Sequence, residues 1–188
     1  MNPAPRRLVV ALTGATGARF CVRALHALRD AGVETHLLVS KWGHATLAHE
    51  TDVTLEQLNA LASAVHQVTD MTAPIASGSF HTDGMLIVPC SMRTLGAIAN
   101  GVGDNLIHRA ADVVIKERRR LVLAVVETPL SAIHLENMLK LSRLGVQIAP
   151  PVPAFYTRPA ALDDLVNYSV ARLLDQCGVS IDAPRWKG

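Results

Sequence analysis

Two stretches of this sequence have the residue types and placement to hold a phosphorylated ligand. Thr13-Gly14-Ala15-Thr16-Gly17 joins an apolar run, Leu8 to Leu12, to a segment of helical periodicity. Glycines let the backbone approach a ligand, and free N–H groups at a helix start, with the helix dipole, attract an anion. The pattern is not the GxGxxG of a dinucleotide site, and no Lys-Ser/Thr follows to make it a P-loop. A tight turn without a ligand would use the same residues. Cys90-Ser91-Met92-Arg93-Thr94 also stands between an apolar run, Met85 to Val88, and a helix start. Ser91 and Thr94 have the spacing of an N-cap and its first turn, so they either cap the helix or offer its N–H groups to a phosphate. Ser77-Gly78-Ser79-Phe80 contributes further small hydroxyl residues. Two strand-to-helix loops of this kind in one small chain favour a phosphorylated ligand more than either alone.

Other side chains have chemistry in reserve. Cys90 could be a nucleophile, but no partner His stands out and a buried Cys is common. Arg109 and Asp112 lie three apart on a helix and can pair. Lys116 to Arg120 is a basic cluster whose ordinary reading, for Arg118 to Arg120, is a solvated helix end. Glu127 ends an apolar strand, where an unpaired carboxylate is costly; such a residue caps the next helix or serves as acid or base. Glu50 sits in a helix, with solvation as its ordinary role. After Pro150-Pro151-Val152-Pro153, a stiff segment presents Phe155, expected in the core, and Tyr156, whose hydroxyl needs a partner if buried. Arg172, on the last helix, can reach an anion or face water.

These residues must be positioned by alternating strands and helices. The chain has 188 residues, 49% of them hydrophobic, which suits a single domain spanning residues 1–188 with its core at about 8–178. Leu8–Leu12, Glu34–Val39, Met85–Val88, Leu121–Val126 and Val146–Ala149 read as strands. Helical spacing occupies the segment after Gly17, Trp42–Glu50, Leu55–Ala64, Met92–Asn100, Asn105–Glu117, Ser131–Leu144 and Leu162–Leu174. The alternation predicts an α/β fold, a three-layer Rossmann- or flavodoxin-like parallel sheet with helices on both faces. Ligands in such sheets bind at the carboxyl ends of the strands, where Gly14–Gly17, Ser40, Pro89–Ser91 and Glu127–Pro129 fall. A formal net charge of +2 leaves no footprint for nucleic acid. No apolar run reaches the roughly 20 residues of a membrane span. Met1 to Arg7 carries two charges, but Leu8 to Leu12 is too short for a signal peptide's apolar region, so the cytoplasm is expected. Three cysteines without CxxC spacing and eight scattered histidines argue against a disulfide framework and a metal site.

Six motifs occur in order: Gly14-Ala15-Thr16-Gly17, Ser77-Gly78-Ser79-Phe80, Pro89-Cys90-Ser91-Met92, Arg109-Ala110-Ala111-Asp112-Val113 with Lys116-Glu117-Arg118, Glu127-Thr128-Pro129-Leu130, and Pro153-Ala154-Phe155-Tyr156. Together they resemble the UbiX/Pad family of flavin prenyltransferases, from about Leu8 to Gly178. The resemblance implies FMN bound between subunits of a homododecamer. It implies metal-independent transfer of a dimethylallyl group from dimethylallyl phosphate to N5 and C6 of reduced FMN. The product, prenylated FMN, would serve a partner decarboxylase of the UbiD type. By the same resemblance Gly14, Ala15 and Thr16 hold FMN, with Thr16 where Ser is more usual. Ser40 contacts the flavin, and Ser91, Met92, Arg93 and Thr94 bind it further. Glu50, Lys116, Glu127, Tyr156 and Arg172 match positions around the prenyl phosphate. Lys116, Tyr156 and Arg172 would neutralise the leaving phosphate, and Glu127 would relay a proton to it.

The sequence departs from the family at one flavin- and phosphate-contacting position. The family has Arg immediately before the Glu of the Glu-Thr-Pro motif, and here that residue is Val126. A branched apolar side chain cannot supply a bidentate cationic fork. Arg93 or Arg158 is a candidate substitute. The two alternatives to a working transferase are an FMN-binding protein with little or no prenyl transfer and an FMN-dependent decarboxylase of the related flavoprotein group.

Overall fold

Along each central strand, successive side chains alternate between two cores. Leu8, Val10 and Leu12, with Leu86, Val88, Val122 and Ala124, enter one buried cluster. Val9 and Ala11, with Met85, Ile87, Leu121, Leu123 and Val125, enter the other. A period of two with both faces buried is the mark of a parallel sheet covered by helices on each side. The computed structural model describes residues 6–186. The reading of the N-terminal segment rests largely on residues 1–5, which lie outside the described residues.

Among the described residues the sheet contains β1 (Arg7–Leu12), β2 (Glu34–Val39), β3 (Ala64–His66), β4 (Gly84–Cys90), β5 (Arg120–Val125) and β6 (Gln147–Ile148). Every pairing is parallel and the order is β3-β2-β1-β4-β5-β6. This is the doubly wound Rossmann order, and the direction of winding reverses between β1 and β4. The helices are α1 (Ala18–Asp30), α2 (Lys41–Glu50), α3 (Leu55–Asn59), α4 (Met92–Ala99), α5 (Leu106–Lys116), α6 (Ala132–Arg143) and α7 (Leu162–Gln176). α1 and α7 supply the first core with Leu25, Leu28, Val170 and Leu174. α4 and α5 supply the second with Leu95, Ile98, Ala111 and Val114.

Two expectations need correction. The helix read over Leu55–Ala64 stops at Asn59, and Ala64–His66 is an edge strand. With one neighbour and three residues, β3 has no apolar run to announce it. Polar contacts with β2 hold it instead: Thr35 N–H donates to Ser63 Oγ at 3.0 Å, and His36 Nδ1 lies 2.8 Å from His66 Nε2. Arg119 is not solvated either. Its side chain is 13% exposed and donates to Gly78 O at 2.7 Å and Phe80 O at 3.0 Å, fastening the loop that leads into β4.

The start of α2 is set against β1 by a glycine. Gly43 N–H donates to Ser40 Oγ, and a Cβ at Gly43 would collide with the carbonyl oxygen of Leu12. Gly43→Ala should therefore push α2 off the end of β1 and cost about 1–3 kcal/mol, the usual range for overpacking. Urea denaturation of the purified variant measures this as a lowered midpoint at unchanged slope.

Candidate active site

The ends of β1 and β4 are stitched together by Thr13. Its N–H donates to Pro89 O at 3.3 Å and its hydroxyl donates to the same oxygen at 2.7 Å. The hydroxyl also accepts from Ser91 N–H at 2.9 Å. Thr13 is 1% exposed, so these bonds are sheltered from water. They hold open a cleft of about 470 Å³ at the point where the winding reverses. Thr13 and Gly14 after β1, Ser40 after β2, Ser91 to Thr94 after β4 and Glu127 after β5 all line it. Trp42 stands at one wall with 61% of its surface exposed, pressed so closely to Gly14 that a Cβ there would collide with Trp42 Cβ.

The two strand-to-helix loops have different fates. Glu50 Oε2 accepts from the N–H groups of Gly17 and Ala18, each at 2.8 Å. An internal carboxylate thus occupies the positive end of α1, which the sequence leaves open to a ligand anion or to a tight turn without one. Ser91 Oγ caps α4 by accepting from Thr94 N–H at 3.3 Å and donates to Thr94 Oγ1 at 3.1 Å. The first turn of α4 faces the cleft and is a helix end open to an anion, as are the starts of α2 at Ser40 and of α5 at Asn105. Ser40 is likewise an N-cap, of α2. Gly14, Ser40, Ser91, Met92, Arg93, Thr94 and Glu127 therefore share one cavity. Ala15 and Thr16 continue the loop beyond Gly14. Val126 adjoins Glu127 and bonds through its N–H to Cys90 O at 3.2 Å.

The remaining predicted residues lie elsewhere on the subunit. Glu50 lines a separate cavity of about 580 Å³ against α1 and α7. Lys116 closes α5 at the amino end of the sheet and pairs with Glu117 at 2.8 Å, beside the Ser77–Phe80 loop. β5 alone separates that end from Glu127, roughly 17 Å at 3.3 Å per residue. The Ser77–Phe80 loop is therefore not part of the cleft. Arg172, on α7, borders a cavity of about 200 Å³ with β6 and the segment after it, and Tyr156 lies in the short turn that follows that segment. Tyr156 Oη is 2.7 Å from Tyr168 Oη, and Arg172 pairs with Asp175 at 2.6 Å. No single subunit brings Lys116, Glu127 and Arg172 together.

Several side chains behave differently from expectation. Phe155 is 71% exposed rather than core, because its short turn lies outside both clusters. Glu127 is exposed and caps nothing; Ser131 is the N-cap of α6. Burial pushes the Cys90 thiol up to about 12, so it is no thiolate nucleophile near neutral pH. Arg109 and Asp112 pair at 2.8 Å as expected. Thr13, the first residue of the glycine loop read from the sequence, lines the cleft as well. Lys41, Trp42, Asn105 and His108 also line it, and sequence reasoning missed them as site residues.

A doubly wound sheet with a phosphate-competent cleft at its reversal defines a nucleotide-binding α/β protein. The profile of the Flavoprotein family matches residues 2–174, and the chain belongs to that family. It is 56% identical over 187 residues to the mitochondrial flavin prenyltransferase PAD1 of Saccharomyces cerevisiae, covering 99% of this chain and 77% of that one. It superposes on the UbiX protein PadA1, solved in complex with FMN and dimethylallyl pyrophosphate, with a TM-score of 0.97 at 55% identity over 98% of both chains. A dodecameric FMN-dependent UbiX-like decarboxylase from Escherichia coli O157:H7 matches with a TM-score of 0.95 at 53% identity, over 97% of this chain and 100% of that one. Within the Flavoprotein family it is a member of the UbiX-like flavin prenyltransferases.

The capping role of Glu50 predicts a stability effect separable from chemistry. Glu50→Ala should cost about 1–2 kcal/mol by stripping the acceptor from two N–H groups and the negative charge from the start of α1. Glu50→Gln, which keeps an oxygen acceptor, should lose less. Thermal melts of both variants check the order.

Proposed function

We propose that this protein joins a dimethylallyl group from dimethylallyl phosphate to reduced FMN and releases prenylated FMN for a UbiD-type decarboxylase. The observation that carries the reading is the winding-reversal cleft, walled by the motif residues of a chain 56% identical to a named flavin prenyltransferase. The donor set fits a phosphorylated flavin. The volume of about 470 Å³ lies in the range of small-molecule sites, the first turn of α4 offers N–H groups to a phosphate, and Trp42 and Met92 offer apolar walls to a ring. Bound reduced FMN supplies the electron-rich ring that takes the prenyl carbon. Gly14, Ser40 and Ser91 to Thr94 hold and orient it. Glu127, exposed at the cleft, relays a proton to the phosphate as the carbon–oxygen bond of the donor breaks. Lys116, Tyr156 and Arg172 meet the charge that develops on that phosphate. The three cysteines are buried and unpaired, which supports a reducing compartment such as the cytoplasm.

Lys116, Glu127 and Arg172 occupy different parts of one subunit, so the complete site draws on more than one copy. This supports a large homo-oligomer, with the dodecamer as the expected form. Ile133, Leu139, Leu144, Val152 and Phe155 are all more than half exposed and give such an assembly apolar surface to cover. Co-assembly of Lys116→Ala with Glu127→Gln subunits should regenerate intact sites. With random 1:1 mixing, about a quarter of wild-type transfer returns although each variant alone is inactive. Recovery no greater than the sum of the separate variants places both residues in one subunit's site and overturns the reading.

Val126 removes a cation from beside Glu127. Arg93 lines the same cleft, 77% exposed and 3.9 Å from Asp104, and is placed to compensate; Arg158 lines a different cavity. A missing contact to developing charge costs on the order of 10²–10³ in rate. Val126→Arg should raise the rate by up to that factor with little change in FMN affinity. Anaerobic stopped-flow formation of prenylated FMN measures it, after denaturation shows that the variant is folded. A wild-type rate equal to the variant's, lost in Arg93→Ala, assigns compensation to Arg93. FMN bound with no transfer in either protein favours the carrier or decarboxylase alternative.

A further inference from the structure

Asp175 lies on α7 one turn beyond Arg172. Such i,i+3 pairs are common on helix surfaces and usually contribute little, but this carboxylate is built in differently. Its side chain is only 17% exposed and it serves two arginines. Arg172 Nη1 donates to Oδ2 at 2.6 Å, while Arg185, ten residues on in the C-terminal segment, brings Nη1 to Oδ2 and Nη2 to Oδ1, the latter at 2.9 Å. Arg185 also donates to Ile181 O at 3.4 Å, and its neighbour Trp186 packs edge-on against Tyr156 with ring centroids 5.1 Å apart. Tyr156 in turn meets Tyr168 through its hydroxyl. The carboxyl is held below the ordinary carboxylate range, chiefly by its bond to Arg185. Two guanidinium groups on one carboxylate leave a surplus positive charge. Arg172 is 51% exposed and borders a cavity of about 200 Å³, with N–H donors beyond the one that Asp175 uses.

We infer that Asp175 is a positioning residue for the prenyl phosphate. It orients Arg172 with its free N–H edge toward the anion, and it ties the C-terminal segment, through Arg185, against Tyr156. The inference rests on the reading that Arg172 meets the donor's phosphate. Asp175 itself touches neither substrate nor cofactor. When the phosphate arrives, Arg172 meets it with the N–H donors that Asp175 does not use, while its bond to Asp175 and the pairing of that carboxylate with Arg185 stay in place. Supporting partners of this kind typically matter by ~10–100-fold when removed.

The test is a double-mutant cycle on the full-length oligomer loaded with oxidised FMN, titrated calorimetrically with dimethylallyl phosphate. Asp175→Asn and Arg172→Ala should each weaken donor binding by about tenfold or more, while FMN affinity stays unchanged. The double variant should bind no worse than Arg172→Ala alone, because Asp175 acts through Arg172. A merely structural Asp175 would give effects that multiply, and that outcome overturns the inference. So does unchanged binding in Asp175→Asn when Arg172→Ala is weakened. Unchanged binding in Arg172→Ala removes the underlying reading as well. If light scattering shows that Asp175→Asn does not assemble, Asp175→Glu replaces it in the same cycle. That variant keeps the charge and the tie to Arg185 but moves the carboxylate by one methylene, and the same non-additivity with Arg172→Ala is required of it.

Discussion

Everything at the ligand end of the molecule depends on the buried hydroxyl of Thr13. Neighbouring parallel strands whose crossover connections run to opposite sides of the sheet leave a gap between their outgoing loops, and something must fix the width of that gap. Thr13 does so by donating to Pro89 O and accepting from Ser91 N–H, which registers the loop after β1 against the loop after β4. Ser91 is then placed to cap α4, and the first turn of α4 is aimed at the cleft. A hydroxyl is suited to this because it donates and accepts at once, and at 1% exposure neither bond competes with water.

That registry decides where negative charge can go. Each α/β loop ends at a helix N-terminus and could in principle take an anion. The protein removes one choice by closing α1 with the carboxylate of Glu50, and leaves the start of α4 facing the cavity. The glycine loop, the most conspicuous motif in the sequence, thus lends shape while the charge complement is supplied next door. Gly14 is close to Trp42 because the chain must pass tightly there, and this brings an exposed aromatic face to the cleft wall.

The layers of the fold were legible because buried parallel strands write themselves as unbroken apolar runs such as Leu121–Val125. The three-residue β3 was not, because an edge strand held by Ser63, His66 and Thr35 shows no apolar period. The cleft residues contributed by Gly14, Ser40, Ser91 and Glu127 were readable as loop chemistry at strand ends. What escaped was three-dimensional. Nothing in the order of residues says that Lys116 and Glu127, eleven positions apart, stand at opposite ends of a strand unless the strand between them is counted. Nor does spacing say that Phe155 points outward, since the same ring after the same prolines could close a core. Asp175 went unnoticed because its second partner, Arg185, lies in an irregular segment with no periodicity to read.

The division of labour between flavin and phosphate follows from these placements. The residues proposed to hold the flavin sit on rigid elements of one subunit and rely on backbone donors and N-cap hydroxyls. The cations proposed to meet the phosphate lie on the rim and are parked on acidic neighbours, Lys116 on Glu117 and Arg172 on Asp175. Both cations are about half exposed, and ion pairs in water are worth little because solvent screens them. The Lys116–Glu117 pair keeps its cation in place without holding it firmly, so an arriving phosphate dianion can take it at small cost, whereas Arg172 keeps its bond to Asp175 and turns its other N–H groups outward. In a site closed by neighbouring copies the same charges are desolvated and their attraction for the phosphate grows as the local dielectric falls. In the proposed assembly, contact between copies would therefore do more than bring residues together: it would turn surface cations into strong electrostatic partners as the donor is enclosed. By the family resemblance Val126 stands where one more such cation is expected, and the cleft's frame at Thr13, Pro89 and Ser91 does not depend on it.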